Sequence, residues 1–176
     1  MATTNDLKCG SFAGSDTTAI AIRAVLYYLM KTPKAYNKLM EEIDAADHDG
    51  RLSRPHIKYS EAVHLPYLVA CCKEAMRMHP SIALCMPRVV PAGGRVIAGW
   101  FLSAGTKVGI NPAVLHRNKD MFGLDADVYN PDRWLDDPEM ASEMDHHMLH
   151  FGAGSRPCIG KNVRTQVATA RLGLCR

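Results

Sequence analysis

The chain has 176 residues, of which 47% are hydrophobic and 22% charged, a composition that supports one domain with a sizeable core. The formal net charge of +3 is too small to indicate a nucleic-acid partner, and no segment approaches the roughly 20 continuous apolar residues of a membrane-spanning helix. The six cysteines form no CxxC pair and no paired framework, which favours a reducing compartment where most of them are small buried apolar residues.

Three helices are predicted in the first half of the chain. The first carries a stripe of apolar side chains at helical spacing: Ile22, Val25, Leu26, Leu29 and Met30. Thr32 and Pro33 are typical of the cap and first position of a second helix, which runs to about Ala46. Its apolar face is formed by Tyr36, Leu39, Met40 and Ile43. Pro66 begins a third helix, which the dipeptide at 79–80 ends.

The segment AGSDTT, residues 13–18, leaves the start of the first helix open. Ser15 or Asp16 could be the N-cap of a helix that begins at Thr17. Alternatively, the helix runs through from about Asn5, and these small polar residues distort a turn in which an acid and a hydroxyl could pass protons in series. The residues alone favour the cap.

The second half of the chain is predicted to contain a small β-sheet at about residues 88–110, because short β-rich runs there are separated by proline and glycine. Residues 111–123 indicate one more short helix. Residues 124–150 show neither helical nor strand periodicity. So long a loop inside a compact domain is usually functional, or else indicates that the assignment is wrong. The expected fold class is mainly α with a small β-sheet.

Glu74 and Arg77 lie three residues apart on the third helix, so their side chains share one face. As a solvated pair they would contribute only a few tenths of a kcal/mol. The wide apolar stripe of this helix indicates burial instead: Leu65, Leu68, Val69, Cys72, Ala75 and Met76. A buried pair needs a further partner, and Arg133, in NPDRW, could be that partner.

The segment HHMLH places His146 and His150 four residues apart, as zinc ligands on a helix can be. No glutamate lies between them and no helix is evident around them or His147, so the sequence favours a polar loop.

The segment FGAGSRPCIG, residues 151–160, surrounds Cys158 with three glycines, a proline and an arginine. Glycine offers a structural cysteine no apolar packing. A backbone that turns sharply beside a cation exposes the sulfur and favours its thiolate form. We therefore expect Cys158 to bind the group on which the function depends.

Taken in chain order, AGSDTT, KEAMR, NPDRW and FGAGSRPCIG resemble motifs in the C-terminal half of a cytochrome P-450, a haem-thiolate monooxygenase. The last segment fits F-x-x-G-x-R-x-C-x-G at every fixed position: Phe151, Gly154, Arg156, Cys158 and Gly160. The similarity covers about residues 10–162, and the residues of the four motifs most resemble those of fungal microsomal members such as the pisatin demethylase group. It implies the C-terminal portion of the cytochrome P-450 fold, incomplete, with an oxygen-activating helix at about 5–31 and an E-x-x-R helix at about 66–79.

The resemblance implies a haem b cofactor with Cys158 as the axial ligand of its iron. Phe151 would shield this ligand from water, and the glycines of the segment, Gly154 and Gly160 among them, would let the backbone pass close to the porphyrin. Arg156 would pair with one haem propionate, and Arg88, in MPRVV, resembles the second propionate arginine. Three further residues would lock the core beneath the haem: Glu74, Arg77 and Arg133.

On the distal side, the resemblance implies that Thr17 with Asp16 delivers protons during dioxygen activation, while Ala13 and Gly14 leave room. Electrons would come from NADPH through a flavoprotein reductase that docks near the cysteine face. The implied reaction inserts one oxygen atom of O2 into a small organic substrate, which the sequence does not identify.

The chain departs from a whole family member, since the N-terminal membrane anchor and most substrate-contacting segments are not in this sequence. After Asn162, residues 163–176 form an atypical tail with few large apolar residues. We therefore expect a single partial domain, a truncated fragment whose full-length parent lies at the cytosolic face of the endoplasmic reticulum membrane. Two alternatives stay open: a haem-binding module without turnover, and a helical interaction protein.

Overall fold

The computed structural model describes residues 4–162, with side chains from residue 13 onward, so the tail predicted at 163–176 lies outside the described residues. In chain order the elements are α1 (Thr4–Lys31), α2 (Pro33–His48), α3 (Tyr59–Ala62), α4 (Pro66–Met78), β1 (Arg88–Val89), β2 (Arg95–Ile97), β3 (Trp100–Leu102), β4 (Lys107–Val108), α5 (Pro112–Leu115), α6 (Lys119–Phe122), a 3-10 helix (Pro131–Trp134) and α7 (Pro138–His147). The described residues are therefore about half helical with small antiparallel sheets, in agreement with the fold class that the patterning predicts.

Helix α1 is continuous through AGSDTT, so the interpretation of Ser15 or Asp16 as an N-cap is wrong. Thr17 instead donates its hydroxyl back to the carbonyl of Ala13, one turn earlier, at 2.8 Å. This bond lies within the helix and satisfies the hydroxyl without ending the helix.

The buried face of α1 is rotated from the predicted stripe. It consists of Ala21, Ala24, Val25 and Leu29, whereas Met30 is 75% exposed. Two of these four positions are alanines, which a search for large apolar residues overlooks. Their small side chains suit the close packing of α1 against α4.

Helix α2 begins with Pro33 in its first turn, although Thr32 at the cap position makes no side-chain capping bond. Its buried face is Ala35, Leu39, Ile43 and Ala46, while the predicted Tyr36 is 45% exposed. From the same helix, Glu42 accepts hydrogen bonds from the amides of Tyr67 and Leu68 at 2.8 and 2.9 Å. A carboxylate of α2 therefore caps the N-terminus of α4, which has no side-chain cap of its own.

Helix α4 is the centre of the described structure and packs on α1, α2 and the 3-10 helix. Ten of its 13 residues are buried, among them Glu74 and Arg77 at 0% exposure. The wide apolar stripe in the sequence correctly indicated this burial. Because both side chains are fully buried, Glu74 and Arg77 are not a solvated pair.

The predicted small sheet is two separate two-stranded antiparallel sheets. Strand β1 pairs with β4, with Arg88 opposite Val108, and β2 pairs with β3, with Ile97 opposite Trp100. The β2–β3 turn places Ala98 and Gly99 at φ of 52° and 83°. Two consecutive positive values are typical of the tightest hairpin turns.

Asparagine and aspartate caps explain where two other expectations fail. The single helix predicted over 111–123 is divided into α5 and α6, because Asn118 begins a new helix by accepting the amide of Asp120 at 2.8 Å. The long loop predicted over 124–150 contains α7, where Asp137 accepts the amides of Glu139 and Met140.

Among the helices that the structure describes, none is both long and apolar enough to cross a membrane.

Candidate functional site

A buried carboxylate organises the middle of the site. Glu74 accepts two hydrogen bonds from Arg77, both at 2.8 Å, and one from Arg133 Nε at 3.0 Å. The indole of Trp134 donates to it at 2.9 Å and the backbone amide of Asn130 at 3.0 Å. Five donors therefore surround a side chain that has no exposed surface, so its charge is fully compensated by hydrogen bonds.

The remaining guanidinium donors of this buried charge cluster, which comprises Glu74, Arg77 and Arg133, are also satisfied. Arg77 Nη1 donates to the carbonyls of His116 and Ala126, each at 2.6 Å. Arg133 Nη1 donates to the Asp125 carboxylate at 2.9 Å. Burial raises the pKa of Asp125, but hydrogen bonds from Asn130 and Arg133 outweigh it and lower that pKa overall. The guanidinium groups of Arg77 and Arg133 are thus balanced by the Glu74 carboxylate and by Asp125 beside the cluster.

Sequence reasoning missed two further donors to Glu74, although both lie in the NPDRW segment. Asn130 supplies its amide to Glu74, and its side-chain oxygen accepts the amide of Asp132 at 3.2 Å at the start of the 3-10 helix. Trp134 is 6% exposed and directs its only polar atom at Glu74. A tryptophan that follows the arginine in a polar segment was the available signal.

The cysteine loop, residues 151–160, is closed by a hydrogen bond from the amide of Cys158 to the carbonyl of Phe151 at 2.8 Å. Gly152 and Gly154 both adopt a φ of 71°. A Cβ on Gly152 would lie 3.3 Å from the carbonyl oxygen of Arg156, so this turn favours glycine twice over. Phe151, the first residue of the loop, is buried, at 8% exposure.

Within this loop the thiol of Cys158 is accessible. Cys158 and Cys85 are exposed, whereas Cys71 and Cys72 are buried. Burial raises the pKa of Cys71 to about 12, so that thiol stays neutral. A Cβ on Gly160 would lie 3.8 Å from the sulfur of Cys158. Glycine therefore keeps this side of the sulfur free of the contact that a Cβ would make.

The described side chains do not form a multidentate metal centre. Among residues 13–162, no group of three or more His, Cys, Asp or Glu is arranged to hold a metal ion. His146 and His147 lie in the last turn of α7, so the polar loop predicted over HHMLH is wrong for these two residues and holds for residues 148–150. No zinc site results among the described side chains. The exposed sulfur of Cys158 can supply one ligand to a metal whose other ligands come from a cofactor.

The other predicted site residues lie on exposed or half-buried surface. Asp16 and Arg156 are exposed, and Arg88 donates to the nearby carbonyls of Met86 and Pro87 at 3.2 and 3.3 Å. A Cβ built on Gly14 would meet nothing within 4 Å, so space is open at this turn of α1. Ala13 beside it is exposed.

The half-buried turn of α1 at Thr17 is tied to the segment after α4. Ser81 donates its hydroxyl to the carbonyl of Thr17 at 2.9 Å. The loop that leads toward β1 is thereby held against α1.

His116, at the end of α5, is a buried polar residue that sequence reasoning missed. It has no exposed surface, and its Nδ1 lies 3.2 Å from the carbonyl oxygen of Arg77. Its Nε2 accepts the amide of Leu149 at 2.9 Å. Burial lowers the pKa of His116 to about 4, with the Arg77 guanidinium acting in the same direction and the Arg77 carbonyl opposing both.

The depressed pKa of His116 predicts a pH-dependent stability. Below the ordinary pKa of 6.5 the unfolded chain binds a proton at this ring that the folded chain resists until about pH 4. The free energy of unfolding should therefore fall as the pH drops from 6.5 to 4, by about 3 kcal/mol in total. Urea unfolding at a series of pH values measures this.

Replacing the ring tests the assignment. His116→Gln should make this slope clearly shallower, whereas His64→Gln, at an exposed histidine, should leave it unchanged. An identical slope in the His116→Gln variant would contradict the role of His116.

Comparisons with known proteins cover most of this chain. The family model for Cytochrome P450 matches residues 10–169. The chain is 49% identical over 151 residues to the cytochrome P450 monooxygenase ACRTS1 of Alternaria alternata and 48% identical over 151 residues to the cytochrome P450 monooxygenase cicH of Emericella nidulans. It is 44% identical over 151 residues to a pisatin demethylase of Fusarium vanettenii. Each match covers 86% of this chain but only 40%, 30% and 28%, respectively, of the relative.

Proposed function

The chain belongs to the cytochrome P450 family, and we propose that it supplies the haem-thiolate region of a monooxygenase that inserts one oxygen atom of O2 into an organic substrate. The observation that carries this proposal is the exposed sulfur of Cys158 in a loop that glycines and the Cys158–Phe151 backbone bond hold in shape. The family match leaves the alternative of a helical interaction protein without support.

The residues of the cysteine loop fit a haem. Cys158 would supply the sulfur ligand to the haem iron, and Gly160 would place no side chain beside that sulfur. Arg88 and Arg156 present exposed guanidinium groups, which suit the two propionates. When bound, haem supplies the redox-active iron that activates dioxygen, and a thiolate ligand favours O–O cleavage.

On α1, the turn at Thr17 is suited to moving protons. The Thr17 hydroxyl donates to Ala13, so its oxygen still has lone pairs with which to accept a hydrogen bond. Asp16, the residue before Thr17, is an exposed acid that can exchange protons with water. The open space at Gly14 would give a small molecule access to this turn.

The whole activity requires partners that these residues do not provide. We propose that a flavoprotein reductase delivers electrons from NADPH, that the substrate is a small organic molecule, and that the chain works as part of a longer, membrane-associated protein. Two observations support the proposal that the chain is part of a longer protein. The chain spans 28–40% of the length of these relatives, and Leu84, Trp100 and Ile159 are at least 75% exposed.

Reduction of bound haem tests the proposal without a known substrate. The purified chain, loaded with haemin, is mixed with NADPH, a fungal flavoprotein reductase and carbon monoxide. The proposal predicts a ferrous carbonyl complex that forms only when the reductase is present. Haem that binds but is never reduced by the reductase would instead favour the alternative of a haem-binding module without turnover.

In the longer protein of which the chain is proposed to be a part, Thr17→Ala is predicted to divert electrons from product to hydrogen peroxide. Proton delivery by a positioned group is worth about 10²-fold or more, so product formation should fall by about that factor while haem content stays unchanged. Pisatin, which is named in one relative, is a reasonable first probe substrate. Peroxide and product per NADPH are measured in parallel.

Thr18→Ala, one residue further along α1, is the matched control and should behave like the parent. Equal coupling of NADPH to product in the two alanine variants would remove Thr17 from proton delivery.

A further inference from the structure

His116 joins two segments that are far apart in the chain. Its ring lies between the carbonyl of Arg77, 39 residues earlier, and the amide of Leu149, 33 residues later. The contact with Arg77 runs in both directions, because Arg77 Nη1 also donates to the carbonyl of His116 at 2.6 Å. His116 is therefore fixed to the buried charge cluster through both its backbone and its ring.

The two ring contacts require one protonation state. The backbone amide of Leu149 can only donate, so Nε2 of His116 must present its lone pair. Nδ1 must then carry the proton that is donated to the Arg77 carbonyl. Only the neutral ring with its proton on Nδ1 satisfies both contacts, and burial favours a neutral ring.

From Leu149 the connection continues into the cysteine loop. The carbonyl of Leu149 accepts the amide of Gly152 at 2.8 Å, which forms the turn at Phe151. The carbonyl of Phe151 then accepts the amide of Cys158 at 2.8 Å. One side of the Leu149 residue is therefore held by His116 and the other by the loop that carries Cys158.

We propose that His116 is a positioning residue that anchors the cysteine loop to the buried charge cluster and so fixes where the sulfur of Cys158 lies. Glu74, Arg77 and Arg133 provide a rigid, fully hydrogen-bonded base. His116 transfers that rigidity to Leu149, the residue from which the loop departs. The haem readout of the test below rests on the proposed function, but the haem-free readouts do not.

The first measurement uses the unmodified, haem-free chain. An NMR spectrum that correlates the ring nitrogens of His116 with their protons should show a proton on Nδ1 and none on Nε2. A through-hydrogen-bond coupling between the Leu149 nitrogen and Nε2 is expected. A proton on Nε2 at neutral pH would overturn the proposal even if every substitution at this site prevented folding.

The second measurement compares three variants by amide hydrogen exchange. His116→Phe keeps a ring but neither hydrogen bond, and should speed exchange at Leu149 about tenfold. His116→Gln offers a side-chain oxygen to Leu149 and should recover most of that protection. Phe122→Leu disturbs the ring that packs 6.0 Å from His116 but leaves both bonds, and should keep the protection of Leu149. Equal exchange at Leu149 in parent and His116→Phe would refute the anchor.

The third measurement loads the parent and the same variants with haemin. The proposal predicts that the fraction with the long-wavelength carbonyl band of a thiolate haem falls several-fold in His116→Phe and recovers in His116→Gln. An equal fall in Phe122→Leu would show general destabilisation and overturn the positioning role. If the parent shows no such band while His116→Phe still releases Leu149, the ligand assignment fails and the anchor stands.

Discussion

Arg77→Ala is expected to lower the free energy of unfolding by about 3–5 kcal/mol, enough to unfold a marginally stable domain. The substitution removes two of the five donors to Glu74 and leaves a carboxylate with no exposed surface short of its main cation. It also leaves the buried carbonyls of His116 and Ala126 without the Arg77 donor. Each loss adds the desolvation cost of an unsatisfied buried polar group.

A surface ion pair of the same chemistry provides the control for Arg77→Ala. Arg54 pairs with Asp47, but the Arg54 side chain is 69% exposed. Arg54→Ala should therefore change stability by less than about 1 kcal/mol. Urea or thermal unfolding of both variants distinguishes the two situations. If Arg77→Ala also lowers the free energy of unfolding by less than about 1 kcal/mol, the buried cluster does not support the fold.

Cys158→Ser is expected to abolish the thiolate spectrum of the haem-loaded chain, because a serine hydroxyl is a poor ligand for this iron. Cys85→Ser is the matched control, since Cys85 is the other exposed cysteine among the residues with described side chains. It should leave the long-wavelength carbonyl band intact. The fold should tolerate both changes, because neither side chain is buried.

The two serine variants also separate specific ligation from binding by any accessible thiol. If the band is lost only in Cys85→Ser, the ligand is Cys85, in the segment before β1, and not Cys158. A band that persists in Cys158→Ser would disprove the ligand assignment.

The parts of the fold that could be predicted from the sequence are those that local patterns specify. Pro33 and Pro66 mark helix starts, because proline tolerates the first turn of a helix and not its interior. The wide stripe of α4 indicated that Glu74 and Arg77 are buried, and the NPDRW segment suggested Arg133 as their partner. The structure brings these three side chains into contact.

Features that depend on neighbouring elements could not be predicted in the same way. The buried face of α1 includes Ala21 and Ala24, whose burial depends on how closely α4 approaches. The helix α7 was missed because its start depends on the Asp137 cap and its interior has only one buried residue, Met144. An amphipathic period is weak in such a helix.

His116 shows the same limit for the candidate site. A histidine in a short polar segment has no local feature that distinguishes it from a surface residue. Its role follows from contacts with Arg77 and Leu149, both more than 30 residues away. The cysteine loop could be identified from its own residues, whereas the anchor beneath it became visible only in three dimensions.

X-ray absorption at the iron edge tests most directly whether the sulfur of Cys158 ligates haem iron. The haem-loaded chain and its Cys158→Ser variant are measured under the same conditions. We predict one sulfur atom bound to iron, beside the porphyrin nitrogens, in the parent chain and none in the variant. A parent spectrum that fits nitrogen and oxygen ligands alone would contradict the assignment of this chain as the haem-thiolate region of a monooxygenase.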